Sequence, residues 1–217
     1  PDNWSERISI ATQGALEQAL GVAVKSLGES KRSSPSDFRH KLAVMASGAV
    51  GGAFGLAGLA VELPVSTTIM LRSIGAIAQS EGENLKEADS TLECIRVFAL
   101  GGRSEDDDAA ESAYFAVRMA MAKTVSEAAK HVASHGLGRE VAPVLVKLIE
   151  QVAARFGIQV SQKIAAQAVP LIGAAGGALV NTLFMDHFQD MAHGHFTIRR
   201  LERKYGEDIV RNAYEQA

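Results

Sequence analysis

The chain has 217 residues, a formal net charge of −3 and one cysteine, Cys94. This length suits one domain that can bury a substantial core. The slightly acidic balance provides no broad basic field for nucleic acid, so we expect no nucleic-acid partner. A single thiol excludes an intramolecular disulfide and fits a reducing compartment. We expect Cys94 to fill the core, because apolar residues surround it in sequence.

No basic segment followed by an apolar one opens the chain, so no signal peptide is visible. The mean hydropathy of +0.06 argues against a polytopic membrane protein. These features predict a cytoplasmic location, with a peripheral position at the inner face of the cell membrane left open.

Strand patterns are scarce, and the β-branched residues are scattered through alanine-rich stretches that favour helix. The sequence therefore predicts an all-α fold: a compact multi-helix bundle with two Gly/Ala-rich central helices and long amphipathic helices around them. We expect one domain over residues 1–217, with an N-terminal helix and loop at 1–35, a core at 36–206 and a tail at 207–217.

The first predicted helix runs from near Ser5 to Leu27 and stops at Gly28, and a Ser-rich loop follows. Two uncharged Gly/Ala-rich runs come later, at residues 42–61 and 164–185, each about as long as a helix needs to cross a bilayer. They share a repeated string, at residues 48–53 and again at 173–178.

Glycines in these runs are spaced to lie on one side of a helix, which lets another backbone approach closely. The predicted helix-packing or lipid-contact positions are Gly48, Gly51, Gly55, Gly58, Gly173 and Gly177.

Between and after the two runs, Pro64 is predicted to open a helix that ends near Ser80. Asn84, with Glu87 three residues later, is expected to cap a helix that ends at Leu100. Three long helices follow: 104–135 with Ser104 as its cap and Gly136 as its stop, a helix from Pro143 to about 170 that Gly157 weakens, and an amphipathic helix at 183–205 that stops at Gly206. A short tail helix is expected after it.

The densest group of potential ligands and bases lies at residues 186–195. Helical spacing turns His195 toward the core and places Asp186, Asp190 and His193 on another face. Three interpretations stay open for that face: a solvated or partner-facing polar stripe, a buried hydrogen-bond network, and a metal or catalytic site. The three residues are weak metal candidates, because no ExxH pattern accompanies them. We expect no metal and no cofactor.

Glu62 borders an apolar neighbourhood, where an unpaired charge is costly, so a partner is expected. One alternative is an ion pair with a nearby arginine such as Arg72 or Arg155. The other follows from the repeat: Glu62 lies fourteen residues after Gly48, and His187 fourteen residues after Gly173. If the two Gly-rich helices pack side by side in parallel, Glu62 and His187 meet.

The basic residues near the end of the last long helix permit two interpretations. They either rest on an anionic membrane surface or belong to an ordinary helix with one face in the core. The residues are Arg199, Arg200, Arg203 and Lys204.

Several segments together resemble the EcsC protein family, over roughly residues 36–206. The most specific are Glu62-Leu63-Pro64 and His187-Phe188-Gln189-Asp190, supported by residues 104–110 and Arg199-Arg200-Leu201. The resemblance implies a membrane-linked setting, because the family takes its name from an operon that also encodes an ABC transporter. It supplies no catalytic residue.

These observations favour a helical binding or adaptor protein that docks on lipid or on a membrane-protein partner such as a transporter. One alternative is a hydrolase with Glu62, His187 and Asp190 around a pocket, which requires these side chains to converge. The other is a purely structural soluble domain. We expect the binding protein, and an enzymatic activity is the less favoured alternative.

Overall fold

A computed structural model describes residues 4–27, 56–100, 110–136, 142–167 and 173–216. This part of the chain is helical apart from short connections and contains no strand, which confirms the predicted all-α bundle. The helices are α1 (Trp4–Val22), α2 (Leu56–Ser80), α3 (Ala88–Leu100), α4 (Ala110–His135), α5 (Pro143–Gln167), α6 (Gly173–Tyr205) and α7 (Glu207–Tyr214). A π-helical segment, Ala23–Leu27, extends α1.

Helix α3 forms the centre of the bundle. Every residue from Ser90 to Leu100 is buried, and α2, α4, α5 and α6 all pack against it. Phenylalanines fill the space between α3, α5 and α6: the ring of Phe98 lies 4.9 Å from that of Phe156 and 5.2 Å from that of Phe188. Each ring contributes about 1.5–3 kcal/mol through removal of its surface from water. Cys94 is buried in the same helix, as expected.

Helices α2 and α6, which carry the ends of the two Gly-rich runs, pack side by side. The Asn181 amide donates to Glu62, and further along both helices the Gln189 amide donates to Ser73. The contacting positions advance in the same direction along both helices, so α2 and α6 run in parallel.

Three of the expected helix starts are wrong, namely those at Pro64, Asn84 and Leu183. Pro64 lies inside α2, because the last residues of the preceding Gly/Ala run are already helical from Leu56 onward. Helix α3 begins at Ala88 rather than directly after Asn84. The Asn84 side chain instead closes a local turn, since its amide donates to Glu87 and its oxygen accepts from the Lys86 backbone N–H.

The other boundaries follow the predictions more closely. Gly136 and Gly206 adopt φ angles of 66° and 93°, which favour glycine, and they end α4 and α6. Pro143 opens α5, and this helix continues through Gly157 without interruption. The predicted amphipathic helix from Leu183 is not separate, because α6 runs unbroken over 33 residues from Gly173.

Some predictions fall outside the described residues. Gly48, Gly51, Gly55 and the cap Ser104 lie there, and so do the side-chain surroundings of Gly58, Gly173 and Gly177. The division into 1–35, 36–206 and 207–217 likewise stays a prediction. Within the described residues, no helix combines the length and the apolar character that a membrane span requires.

Candidate functional site

Charged side chains meet inside the bundle where α3, α4 and α6 pack together. Glu93 of α3 lies at the centre of this group, which we call the ionic network. Its carboxylate is 2.5 Å from an Arg96 nitrogen, 2.9 Å from His195 Nε2 and 3.4 Å from an Arg199 nitrogen. Although burial alone raises the pKa of Glu93, the Arg96 charge and the His195 and Arg199 contacts lower it to about 2. Glu93 is therefore ionised at neutral pH.

His195 is 1 % exposed, which confirms the prediction that it points into the core. Its Nδ1 lies 2.9 Å from Tyr114 Oη, and its Nε2 faces Glu93. Burial lowers the pKa of His195 to about 4, against an ordinary value of 6.5. The ring is therefore neutral at pH 7. Because a carboxylate can only accept, the ring proton belongs on Nε2, and Tyr114 donates its hydroxyl hydrogen to Nδ1.

A second acidic centre, Glu83, lies in the turn before α3. Its carboxylate accepts from Arg199, Arg203 and the Ser90 hydroxyl. Arg199 also reaches Asp89 at 3.0 Å, so this one guanidinium joins Glu83, Asp89 and Glu93. These contacts tie the C-terminal half of α6 to the start of α3.

Arg118 of α4 completes the ionic network by donating two hydrogen bonds to Glu202 of α6, at 2.7 and 2.8 Å. Its guanidinium also lies over the ring of Tyr114, 5.5 Å from the centroid. The network contains equal numbers of acidic and arginine side chains and is formally neutral, with His195 uncharged: Glu83, Asp89, Glu93 and Glu202 against Arg96, Arg118, Arg199 and Arg203.

Glu62 belongs to a separate buried polar group between α2, α5 and α6. Lys163 donates to its carboxylate at 2.6 Å, and Asn181 donates at 3.0 Å. Burial lowers the pKa of Lys163, and the neighbouring Glu62 opposes that shift. An ion-pair partner for Glu62 was expected, but the prediction that it is Arg72 or Arg155 is wrong. Among the described residues the partner is Lys163, which α5 contributes.

The parallel packing of α2 and α6 was also anticipated as one alternative, but its register differs from the repeat. Glu62 contacts Asn181, six positions before His187, and both of its hydrogen bonds in the described part of the chain go to Lys163 and Asn181. His187 is half-buried, with its ring 5.1 Å from that of Phe188. No contact between described residues joins Glu62 to Asp190, so the structure provides no convergence for the hydrolase alternative.

The remaining candidates lie on the outer side of α6 or on other helices. Asp190 and His193 are exposed, and Asp186 is half-buried. No group of three or more potential metal ligands occurs in the described ranges. Arg72 is exposed and Arg155 is half-buried.

In the basic stretch of α6, Arg200, Arg203 and Lys204 are exposed, and three of the four basic side chains form ion pairs. Arg199 and Arg203 bind Glu83, and Arg200 lies 3.2 Å from Glu81. One face of this stretch packs against the bundle through Phe196 and Ile198, and the membrane-facing interpretation of the exposed basic side chains stays a prediction.

Sequence reasoning missed most of the ionic network, including Glu83, Glu93, Arg96 and Tyr114. One signal was present: Glu93 and Arg96 interrupt an apolar run at a spacing of three, which places both on one side of α3. A helix whose two charges share one side while apolar residues cover the others is a candidate for buried ion pairing.

The fold and the buried polar groups define a class: an all-α bundle whose central helix carries a neutralised ionic network. The EcsC protein family model matches residues 5–201, and the chain belongs to that family. Neither a curated protein nor a solved structure significantly matches the chain.

Proposed function

We propose that this EcsC-family protein is a cytoplasmic binding protein that docks peripherally on the inner face of the cell membrane, through the N-terminal half of α6. The supporting observation is an exposed apolar pair: Leu179 and Leu183 lie one turn apart on the same side of the helix, and each is 60 % exposed. Neighbouring side chains on the opposite side, including Phe184 and Met185, are buried and hold α6 in the bundle.

Two leucines inserted at the acyl boundary of a bilayer gain about 1.5–3 kcal/mol each on complete burial. That amount supports reversible attachment rather than permanent anchoring. The described part of α6 near this pair carries no basic residue, and the arginines further along are held by Glu81 and Glu83. We therefore expect attachment to depend more on apolar contact than on lipid charge.

The test is flotation with vesicles of phosphatidylethanolamine and phosphatidylglycerol, free of any membrane protein. The double variant Leu179→Ser/Leu183→Ser removes the apolar pair. Its matched control is Ile10→Ser/Ile209→Ser, at positions on α1 and α7 that are 64 % and 63 % exposed. We expect the wild type and the control to float and the α6 variant to stay in the dense fraction.

Absence of the wild-type protein from the floated fraction would contradict docking on lipid and leave a membrane-protein partner as the receptor. Equal flotation of both double variants would show that Leu179 and Leu183 of α6 do not form the membrane contact. Matching melting temperatures for the two variants ensure that the difference does not come from unfolding.

A further inference from the structure

Two clefts line the outer side of the antiparallel pair α3 and α4. The first, of about 280 Å³, lies against the ionic network and is bordered by α7. The second, of about 740 Å³, continues toward the π-helical end of α1. Asp89 from α3 and Ser126 from α4 line both of them, so the clefts adjoin at this pair and form one groove. The volumes together reach the upper end of the range typical of small-molecule sites, about 300–1,000 Å³.

The first cleft offers groups of both charges. Arg96 and Arg118 line its inner side, and the Nε of each is buried without a hydrogen-bond acceptor among the described residues. Three exposed residues of α7 also line it, namely Glu207, Asp208 and Arg211. Arg211 pairs with Glu215, and neither Glu207 nor Asp208 forms an ion pair within the described ranges. Because a buried donor gains from an acceptor and a free carboxylate gains from a cation, a ligand with both charges matches this end better than either ion alone.

Half of the twelve side chains that line the second cleft are small or aliphatic. They come from the π-helical segment, from the start of α3 and from one side of α4: Val24, Leu85, Ala88, Ala129, Val132 and Ala133. The other half is polar, with four charged groups and two hydroxyls: Lys86, Glu87, Asp89, Lys130, Thr91 and Ser126. A shallow aliphatic floor with charged edges suits a narrow apolar chain rather than a folded polar molecule.

We propose that the joined groove binds a single-chain zwitterionic amphiphile, with an anionic oxygen group and an ammonium at the α7 end and one acyl chain along α4 toward α1. The groove follows α4 from Phe115 to Ala133, a distance of about 27 Å at a rise of about 1.5 Å per residue. An acyl chain of one bilayer leaflet needs about 15 Å, which leaves room for a headgroup. This site uses α3, α4 and α7, so it is independent of the proposed docking by Leu179 and Leu183.

The test is isothermal titration calorimetry of the complete protein with lysophosphatidylethanolamine below its critical micelle concentration. Lysophosphatidylglycerol of the same chain length keeps the phosphate and lacks the ammonium. Two tryptophan substitutions at exposed groove positions of α4 block the two ends: Ala122→Trp at the headgroup end and Ala133→Trp at the chain end. Their controls are Ala120→Trp and Ser134→Trp, at exposed positions of the same helix that line neither cleft.

We expect saturable binding of lysophosphatidylethanolamine, and at least about tenfold weaker binding of lysophosphatidylglycerol, because the carboxylates at the rim lose their cation. Each blocking variant should weaken binding by at least about tenfold, while the two controls keep the wild-type affinity. Melting temperatures of all four variants verify that they fold.

Three results would overturn the proposal. The first is no binding by the wild type below the micelle concentration. The second is equal affinity for the two lipids, which would show that the site does not recognise the ammonium of a zwitterionic headgroup. The third is a loss of binding affinity in only one blocking variant, or an equal loss in the control variants. Either result would show that the ligand does not occupy the two clefts as one groove.

Discussion

The Nε2 atom of His195 lies 2.9 Å from the Oε2 atom of Glu93, although the two residues are 102 positions apart in the chain. This contact joins the central helix α3 to α6, the longest of the described helices, in the interior of the bundle. Burial itself favours the neutral imidazole, whereas Glu93 stays ionised against burial because Arg96, His195 and Arg199 lower its pKa. The stability of the protein should consequently depend on pH in a way that can be assigned to single residues.

The first prediction concerns His195. Its pKa is about 4 in the folded protein and 6.5 ordinarily, so between these values the unfolded chain binds a proton here that the native state does not. The contribution of His195 to stability is therefore present above pH 6.5 and is lost as the pH falls toward 4. The slope approaches about 1.4 kcal/mol per pH unit. Urea denaturation between pH 4 and 7.5 measures it.

The His195→Gln variant is the matched comparison, since an amide can donate to Glu93 and accept from Tyr114 without titrating. We expect its free energy of unfolding to vary less with pH in this window. Identical slopes for the variant and the wild type would show that His195 is not the responsible group. Below about pH 4.5 both proteins should lose stability as Glu93, whose pKa is about 2, stays ionised only in the native state.

The second prediction concerns Tyr114. Its hydroxyl is the donor to His195 Nδ1 at 2.9 Å, so Tyr114→Phe leaves a buried acceptor without a donor. We expect a loss of about 1–3 kcal/mol in the free energy of unfolding at pH 7. Tyr205→Phe provides the control, because Tyr205 is 51 % exposed. A loss no larger than that of the control would mean that this hydrogen bond is not formed in solution.

The third prediction concerns the Lys163–Glu62 pair. Lys163→Met leaves the Glu62 carboxylate buried without its cation, and removal of one partner of a buried ion pair costs about 3–5 kcal/mol. Adding Glu62→Gln to that variant should recover part of the loss, because a neutral amide still accepts from Asn181. A double-mutant cycle by urea denaturation gives the coupling energy. Additive effects of the two substitutions would contradict direct pairing.

The fourth prediction concerns the single thiol. Cys94 is buried in α3, and burial raises the pKa of its thiol far above the ordinary range. We expect a disulfide reagent at pH 8 to modify the native protein at least about a hundredfold more slowly than the urea-unfolded chain. In an Ala120→Cys variant, the added thiol at an exposed position of α4 should react at once. Rapid modification of native Cys94 would place α3 nearer the surface than the structure does.

Several elements were predictable because their signals are local. Gly136 and Gly206 end helices through positive φ angles, and Pro143 suits a first turn, so each acts through its own backbone. His195 was placed in the core from helical spacing alone. Pro64 failed as a helix start because its position depended on whether the preceding Gly/Ala residues were already helical, which no single residue decides.

The candidate site was only partly predictable. The need of Glu62 for a partner followed from its apolar neighbourhood. The choice of Lys163 over Arg72 or Arg155 followed from tertiary packing, which brings together two residues 101 positions apart. Glu93 drew no attention. Helical spacing alone brings Arg96 beside it, but its partners His195 and Arg199 become neighbours only when α6 lies against α3.

Sequence by itself determined the helical class, most of the helix ends, the family and the inward direction of His195, because period, glycine, proline and composition act within a few residues. The tertiary structure alone decided which charges neutralise one another, which leucines stay exposed and where clefts remain. Those outcomes depend on the register and crossing of helices that lie far apart in the chain, and packing of side chains between them sets that geometry.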